Sequence, residues 1–329
     1  MKILITGALG TVGLPLFEKL NSSGSNLVTG LDINYTHKEN IFRCDISKFR
    51  QLENSIAKSN PEIVYNLAAE FGRWNGENHY ENVWETNVIG LKHLLKLQET
   101  YGFRIVHFSS SEVYGDYPEI MSESVMDKVP IQQMNDYAIS KWVNELQILN
   151  AQEFLKANHE KKKSENHLRN EIPPPILDDL VKLDIVRVRL FNTYGPGEYF
   201  HPFRSAICKF IYAAITGKEF TVHQGHNRSH TYISDAVHAL ANISTNFVPG
   251  EVYNIGSDNL ATMEHVAELV VEHSGCSPSL LKLADSEPNT TTTKVVDIST
   301  ARRDLDLSDS VSLNEGIKNT VKWMRSVYS

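Results

Sequence analysis

The segment that decides the fold opens the chain: Lys2-Ile-Leu-Ile-Thr6, followed directly by Gly7-Ala-Leu-Gly-Thr-Val-Gly13. The apolar run is typical of a short buried strand, the glycines of a tight turn, and residues 12–20 continue with helical spacing. Small residues at such a turn let backbone amides approach a phosphate at a helix N-terminus, where the helix dipole favours negative charge. We therefore expect a dinucleotide-binding turn whose cofactor contacts come from Gly7, Gly10, Thr11, Val12 and Gly13.

An acidic residue at the end of the second strand supports this interpretation. A predicted strand over residues 26–31 is followed by Asp32, which stands 19 residues after Gly13. A carboxylate at that place accepts hydrogen bonds from the adenosine ribose hydroxyls and repels a 2′-phosphate. The glycine pattern, GxxGxxG, is one residue wider in its first gap than the commonest dinucleotide fingerprint, so the strand and Asp32 carry much of the inference. NAD is expected as the cofactor, rather than NADP.

Strands and helices alternate through the first 190 residues, which predicts an α/β fold built on a doubly wound parallel sheet of the Rossmann type. Ligands of such sheets bind beyond the carboxyl ends of the strands. Residues 1–190 are expected to form the NAD-binding domain, with a returning strand near 252–256, and residues 191–329 mainly a smaller substrate-binding lobe. Ser312 and Glu315 have the spacing of a capping box before a last helix that ends near Tyr328. The predicted strands are residues 3–6, 26–31, 41–43, 63–67, 104–109 and 185–190.

Composition excludes several classes of function. The chain has 329 residues, a formal net charge of -8 and 41% hydrophobic residues, so no broad basic face for nucleic acid is expected. Its three cysteines are too far apart for a disulfide framework, and His223, His226 and His230 lack carboxylate partners, so no metal is expected. No apolar run approaches the roughly 20 residues of a membrane span. Because the first strand begins at Lys2, no signal peptide is expected either, and a cytoplasmic location is predicted.

A tyrosine and a lysine four residues apart, Tyr137 and Lys141, follow a serine run at residues 109–111. A tyrosine hydroxyl, with a free pKa of about 10, is a poor base at neutral pH, and a nearby cation favours the phenolate. The i, i+4 spacing puts both side chains on one helix face. This pattern predicts an enzyme that removes a proton and a hydride from one alcohol carbon.

These motifs together resemble the extended short-chain dehydrogenase/reductase family, in its NAD-dependent nucleotide-sugar epimerase/dehydratase branch, nearly from end to end. The resemblance implies that Asp45 and Ile46 hold the adenine, and that Lys141 also bonds the nicotinamide ribose. It implies that Asn192 contacts the sugar or its phosphate and that Arg228 binds the diphosphate, for which a guanidinium fork is suited. Further expected contacts are Leu67, Ala68, Ala69, Asn87 and Ser109 for the cofactor, and Glu70, Arg73, Ser111, Arg204 and Val222 for the substrate.

The reaction depends on three residues beside the serine run. Ser110 takes the place of the hydroxyl residue that bonds the substrate O4, and Ser111 the place where glucose-type 4,6-dehydratases carry an aspartate. Glu112 takes the place of their glutamate, and a dehydratase needs a base for the C5 proton and an acid for the departing O6. Elimination to a 4-keto-6-deoxy sugar is the leading expectation. Decarboxylation of a uronate is its nearest rival, then 4-epimerisation or net oxidation; a non-catalytic NAD-binding regulator is a remote alternative.

Two segments depart from the family pattern. Residues 70–77 carry Glu70, Arg73 and Trp74 where the family's loop faces the sugar, which predicts either polar contacts to an unusual substituent or a solvated loop. Residues 151–182 predict a surface insertion. The family also implies a homodimer, formed by an apolar stripe of Val88, Leu91, Leu94 and Leu95 and another of Trp142, Leu146 and Leu149.

Overall fold

A computed structural model describes residues 1–169, 184–286 and 290–328, and of residues 155–169 it describes the backbone alone. The strands are β1 (Lys2–Thr6), β2 (Leu27–Asp32), β3 (Ile41–Arg43), β4 (Ile63–Asn66), β5 (Arg104–Ser110), β6 (Ile120–Met121), β7 (Ile185–Leu190), β8 (Thr193–Tyr194), β9 (Phe220–His223), β10 (Asn227–Ser229), β11 (Thr231–Tyr232), β12 (Val252–Ile255), β13 (Leu260–Thr262), β14 (Leu281–Ala284) and β15 (Thr293–Val296).

The α-helices vary in length from a single turn to the long helix α7. They are α1 (Gly13–Asn21), α2 (Phe49–Ser59), α3 (Arg73–Asn78), α4 (Tyr80–Val83), α5 (Gly90–Tyr101), α6 (Val125–Lys128), α7 (Asp136–Arg169), α8 (Ala206–Ile215), α9 (Ile233–Asn242), α10 (Met263–Ser274), α11 (Ser299–Leu305) and α12 (Leu313–Tyr328). A π-helix, Trp84–Ile89, joins α4 to α5, and a short 3₁₀-helix, Ser111–Tyr114, follows β5. No helix in the described ranges is both long and apolar enough to cross a membrane.

Seven parallel strands form one sheet in the order β12-β7-β5-β4-β1-β2-β3. Residues of β1, β4 and β5 are buried on both faces, as expected for strands covered by helices. One core cluster joins the sheet to α1, α9 and α11, and a second joins its other face to α2, α5 and α7. The predicted doubly wound Rossmann-type fold is confirmed. The returning strand predicted near 252–256 is β12, at the edge of this sheet.

The part of the chain after β7 supplies a second layer of structure above the carboxyl ends of the strands. Helices α8, α10 and α12 share a third core cluster with the short strand β9. A small sheet in the order β13-β10-β15-β6 joins this part to residues 120–121, which precede it by more than a hundred positions. The Ser312 hydroxyl accepts the Glu315 N–H at 3.3 Å, as the capping box predicts.

One expectation changes at the level of elements. The stripe of Val88, Leu91, Leu94 and Leu95 is buried inside the chain, and its three leucines pack in one core cluster with Ile148 of α7, so its assignment to a subunit interface is wrong. Helical spacing shows which side chains share a face but not what covers that face. Residues 170–182 of the predicted insertion lie outside the described residues.

Candidate active site

A cavity of about 430 Å³ lies at the carboxyl ends of β1, β2, β4 and β5. Its glycines allow close approach of the backbone: a Cβ on Gly7, whose φ is +69°, would lie 2.8 Å from the Ala68 nitrogen. A Cβ on Gly13 would lie 2.0 Å from the Gly7 carbonyl oxygen. The cavity is lined by residues expected to contact the cofactor: Gly7, Gly10, Thr11, Val12, Gly13, Asp32, Asp45, Ile46, Leu67, Ala68, Ala69, Ser109, Tyr137 and Lys141.

Two polar groups in this wall match a dinucleotide. The Asp32 carboxylate accepts the backbone N–H groups of Leu9 at 2.9 Å and Asn34 at 3.0 Å, which hold it in the cavity wall at the end of β2. The Thr11 hydroxyl, inside the glycine turn, is buried and has no hydrogen-bond partner among the described residues. A phosphate at the N-terminus of α1 would satisfy it, so the residues present fit a dinucleotide.

One residue expected to contact the cofactor lies behind the cavity instead. Asn87, in the π-helix, accepts the Glu70 N–H at 2.9 Å and donates to the Glu70 carbonyl at 3.1 Å and to the Ser140 hydroxyl at 3.0 Å. It thereby fixes the backbone of residue 70, while its neighbour Thr86 lines the cavity. π-Helical turns are frequent at functional sites, but sequence periodicity does not reveal them.

Tyr137 and Lys141 lie on the first turns of α7, and the Lys141 Nζ is 6.0 Å from the Tyr137 ring centroid. Lys141 is buried and donates to the Phe108 carbonyl at 2.8 Å. Burial lowers the pKa of Lys141 to about 8, which leaves the ammonium charged at neutral pH. The pKa of Tyr137 is raised to about 12. Burial is the largest cause, the hydrogen bond with the Ser110 hydroxyl lowers the pKa, and the Glu112 carboxylate raises it. Tyr137 is therefore a neutral phenol at neutral pH in this environment.

A buried ionic network under these residues was not found from the sequence. The carboxylate of Glu145, one turn after Lys141, accepts two hydrogen bonds from Arg189 of β7, at 2.7 and 2.9 Å. It also accepts one from Arg187 at 3.1 Å and one from the Ser109 hydroxyl at 2.6 Å. Arg189 also donates to the Tyr114 hydroxyl at 2.8 Å. These contacts fix α7 to the carboxyl ends of β5 and β7, and so set the distance between Tyr137 and residues 110–112.

A second cavity, of about 770 Å³, opens from Tyr137 toward α8 and β9. Among the expected substrate contacts, Arg73, Glu112, Asn192, Arg204 and Arg228 line it. Arg204 also lines the cofactor cavity, so it stands where the two cavities meet. Glu70 lines the cofactor cavity only, and Ser111 is buried in the 3₁₀-helix. The Val222 side chain packs in the third core cluster, while its neighbours Thr221 and His223 line the cavity.

Asn192 and Arg228 are held by backbone carbonyls in the wall of this cavity. Asn192 has a left-handed φ of +37° and donates to the Ser229 carbonyl at 2.9 Å. Arg228 donates to the carbonyls of Asn227 at 3.0 Å and Thr292 at 2.7 Å, and to that of Thr291. A phosphate at Arg228 would compete with these carbonyls for the guanidinium.

Glu112 forms an ion pair that the sequence did not indicate. Its N–H donates to the Ser110 hydroxyl at 3.2 Å, one carboxylate oxygen accepts Asn135 at 3.5 Å, and the other accepts the Lys294 ammonium. Lys294, on β15, is 2% exposed and lies 182 positions further along the chain. Burial alone would raise the pKa of Glu112, but Lys294, Arg73 and Arg228 outweigh it and lower the pKa to about 2. Glu112 is therefore a carboxylate at neutral pH, with three cations around it.

Comparison with known proteins agrees with this geometry. The sequence profile of the NAD dependent epimerase/dehydratase family matches residues 3–256. UDP-glucuronic acid decarboxylase 3 of Arabidopsis thaliana is 29% identical to this chain, over 96% of the chain and 87% of the plant protein. dTDP-glucose 4,6-dehydratase of Streptomyces niveus is 26% identical, over 98% and 93% of the two chains.

The fold likeness extends over the whole molecule. UDP-glucuronic acid 4-epimerase from Bacillus cereus, solved in complex with UDP-glucuronic acid and NAD, superposes with a TM-score of 0.80. The alignment covers 100% of both chains at 23% identity, and at this identity it shows the fold alone. The family profile covers most of the chain and includes the glycine turn, Tyr137 and Lys141. The chain therefore belongs to the NAD-dependent epimerase/dehydratase family, and NAD is its cofactor.

Proposed function

We propose that this protein oxidises C4 of a nucleotide-diphospho-sugar and that the favoured substrate is a uronate, which then loses carbon dioxide. The observation that supports this most strongly is the Glu112–Lys294 ion pair beside Tyr137, flanked by Arg73 and Arg228. NAD, when bound, supplies the hydride acceptor. Lys141, Ser110 and Tyr137 then act as the residues that take and hold the C4 hydroxyl proton.

The charges around Glu112 favour an acidic sugar. The Glu112 carboxylate is influenced by three cations, Lys294, Arg73 and Arg228. Glu112, Arg73 and Arg228 line the cavity with Tyr137, and the buried Lys294 lies behind Glu112. Arg228 is the expected diphosphate ligand, and the Arg73 guanidinium lines the same cavity as Tyr137. A carboxylate on C6 of the sugar would be attracted to these guanidinium groups, which suit carboxylates geometrically.

Decarboxylation also makes a smaller demand on Glu112 than elimination does. Once C4 is a ketone, the C6 carboxylate lies β to a carbonyl. The C5–C6 bond then breaks, carbon dioxide leaves and the electron pair forms an enolate on C4 and C5. The cations stabilise the enolate, and a proton delivered to C5 gives a 4-keto pentose. Return of the hydride to C4 and of the proton held by Tyr137 to O4 would then give the pentose nucleotide. Glu112 remains ionised throughout and holds Lys294 in position.

Elimination of water is the second candidate, supported by the position of Glu112 in the cavity wall beside Tyr137. It requires one group to remove the C5 proton and one to protonate O6. A carboxylate whose pKa is lowered to about 2 is a weak base and a poor proton donor near neutral pH. Decarboxylases are also among the relatives of highest identity, at 28% and 29%. We therefore rank elimination second, and 4-epimerisation, which needs no acid at Glu112, third.

The experiment is a panel of UDP-, dTDP- and GDP-linked sugars and uronates, incubated with the purified protein and NAD. Products are identified by mass, and carbon dioxide is measured from the uronates. We expect carbon dioxide and a pentose nucleotide from a uronate, and no dehydrated product from the matching hexose. A 4-keto-6-deoxy product from a hexose would instead establish elimination, and isomerised product of unchanged mass would establish epimerisation.

We propose further that the protein is a homodimer. With Val88, Leu91, Leu94 and Leu95 assigned to the core, exposed apolar side chains of the π-helix and α7 include Trp84, Ile89, Ile139 and Leu146. Ile139 and Leu146 are seven residues apart on α7 and so lie on one face. A second copy of the chain would cover this face.

A further inference from the structure

The segment Gly72-Arg-Trp-Asn-Gly76 is built against the catalytic tyrosine. It contains the first turn of α3, and a Cβ on Gly76 would lie 2.8 Å from the Tyr137 backbone nitrogen. A Cβ on Gly72, whose φ is +93°, would lie 2.9 Å from the Phe203 carbonyl oxygen. Contacts this short to main-chain atoms leave room for glycine only, so both ends of the segment are fixed by close backbone packing.

Polar contacts hold the same segment from inside. Asn75 is buried and donates to the Glu70 carboxylate at 2.9 Å and to the Phe71 carbonyl at 3.1 Å. Glu77 accepts the Asp136 N–H at 3.1 Å, at the first residue of α7. The segment therefore has a defined position relative to Tyr137, and it is not the solvated loop that the sequence left open.

This scaffold presents two side chains to the substrate cavity. Arg73 and Trp74 both line the cavity together with Glu112 and Tyr137. Trp74 is 53% exposed, an unusual state for an indole on a rigid turn. An aromatic face that remains in contact with solvent in the cavity wall is suited to the C–H face of a pyranose, which carries apolar area without charge. Arg73, next along the chain, supplies a guanidinium for an anionic group on the same ring.

We propose that Trp74 is a substrate-contacting residue, whose indole stacks on the pyranose ring while Arg73 binds the ring's acidic substituent. Together they form a sugar-recognition element. The proposal deepens the proposed function, since it names the part of the substrate that this wall binds. It predicts that the sugar, and not the nucleoside diphosphate, is bound by residues 73 and 74.

Tryptophan fluorescence tests the proposal directly. Trp74 is one of four tryptophans in the chain, and stacking on a sugar alters the emission of an indole. The probes are UDP-glucuronate, UDP-glucose and UDP, each titrated into the NAD-loaded protein. We expect the two nucleotide sugars, but not UDP, to change the emission of the wild type, and we expect Trp74→Phe to lose that change. The matched control is Trp323→Phe, because Trp323 lies on α12 and is absent from the cavity wall among the described residues.

Affinity gives an independent readout. Trp74→Ala is expected to weaken binding of the nucleotide sugar roughly 10-fold, the upper range for one aromatic contact, and to leave UDP and NAD unchanged. Trp74→Phe should recover most of that loss, because a smaller aromatic ring still offers a face.

Three outcomes would overturn the proposal: a sugar-dependent emission change that persists in Trp74→Phe, equal weakening of UDP and the nucleotide sugar, or no emission change with any probe. None of these depends on turnover. A protein that binds nucleotide sugars through Trp74 but converts none of them would contradict the proposed function and leave this inference standing.

Discussion

At the residue scale, the proposed reaction requires Tyr137 to lose its proton beside the Glu112 carboxylate, which opposes that loss. Burial and Glu112 both raise the pKa of Tyr137, and Lys141, whose pKa is lowered to about 8, is still charged at neutral pH. The Lys141 ammonium, 6.0 Å from the Tyr137 ring centroid, would oppose the effect of Glu112 on the phenol.

Replacing the phenol tests this assignment. Tyr137→Phe should lower turnover roughly 100-fold or more, because it removes the group that accepts the C4 hydroxyl proton. Binding of NAD and of the nucleotide sugar, measured by calorimetry, should stay near the wild-type values. Turnover within a few-fold of the wild type would assign the proton to another residue.

The ion pair of Glu112 makes a second prediction, in the pH dependence of stability. The folded-state pKa of about 2 lies below the ordinary value of 4.5, so the contribution of Glu112 is present above 4.5 and is lost as the pH falls toward 2. In Glu112→Gln, the difference in free energy of unfolding from the wild type should be largest above pH 4.5 and shrink as the pH falls toward 2. Denaturant titrations across that range measure it, and a constant difference would contradict the ionised pair.

Sequence patterns predicted Glu112 but not its partner, and the reason is physical. Glu112, Tyr137 and Lys141 stand in local motifs, where spacing reflects a turn or a helix face. Lys294 is brought to Glu112 by pairing of β15 with β6 and β10, and no local pattern records that contact. Val222, an expected substrate contact, shows a different limit of sequence patterns. Its side chain packs in the third core cluster, although its neighbours line the cavity.

At the scale of elements, α7 is fixed by charge rather than by apolar contact alone. Glu145 is fully buried and accepts two arginines of β7. Glu145 and the two arginines stabilise the fold only together, because removal of one of them leaves the others buried, charged and unpaired.

Glu145→Gln should therefore destabilise the protein by about 3–5 kcal/mol, the usual loss on breaking a buried pair. The matched control is Glu99→Gln, because Glu99 pairs with Lys96 at 3.0 Å on the surface of α5. That change should cost less than about 1 kcal/mol. Denaturant midpoints of the two variants measure the contrast, and equal losses would show that the buried network contributes no more than a surface pair.

Element prediction was strongest where the signal was local. The strand, the glycine turn and the helix of residues 2–21 follow from sequence because apolar runs and glycines have direct backbone consequences. The π-helix at Trp84–Ile89 does not, since its extra residue leaves the hydrophobic spacing of the flanking helices unchanged. Asn87 consequently lies behind the cofactor cavity, where it positions Glu70.

At the scale of the whole molecule, the seven-stranded sheet brings the cofactor residues to one edge, and the later elements close over that edge. The sheet was predictable because buried parallel strands read as apolar runs. The closure was not, because β15, β10 and β13 are short and pair across distant parts of the chain. The substrate cavity lies between these two parts.

The proposed homodimer is tested on its outer face. Leu146→Glu places a charge on a leucine that is 46% exposed, and it should convert the wild-type dimer into a monomer at micromolar concentration by light scattering. Leu283→Glu is the matched control, since that leucine is 56% exposed on β14, away from α7. A wild-type monomer, or a dimer unaffected by Leu146→Glu, would remove this interface.

The most direct test of the central claim is carbon dioxide release from UDP-glucuronate labelled at C6, measured for the wild type, Tyr137→Phe and Lys294→Met. Each molecule of pentose nucleotide formed by the wild type should be accompanied by one labelled carbon dioxide. Tyr137→Phe should release none, and Lys294→Met should release it much more slowly while NAD binding persists. A wild type that releases no label from UDP-glucuronate but dehydrates a nucleotide hexose would contradict the account.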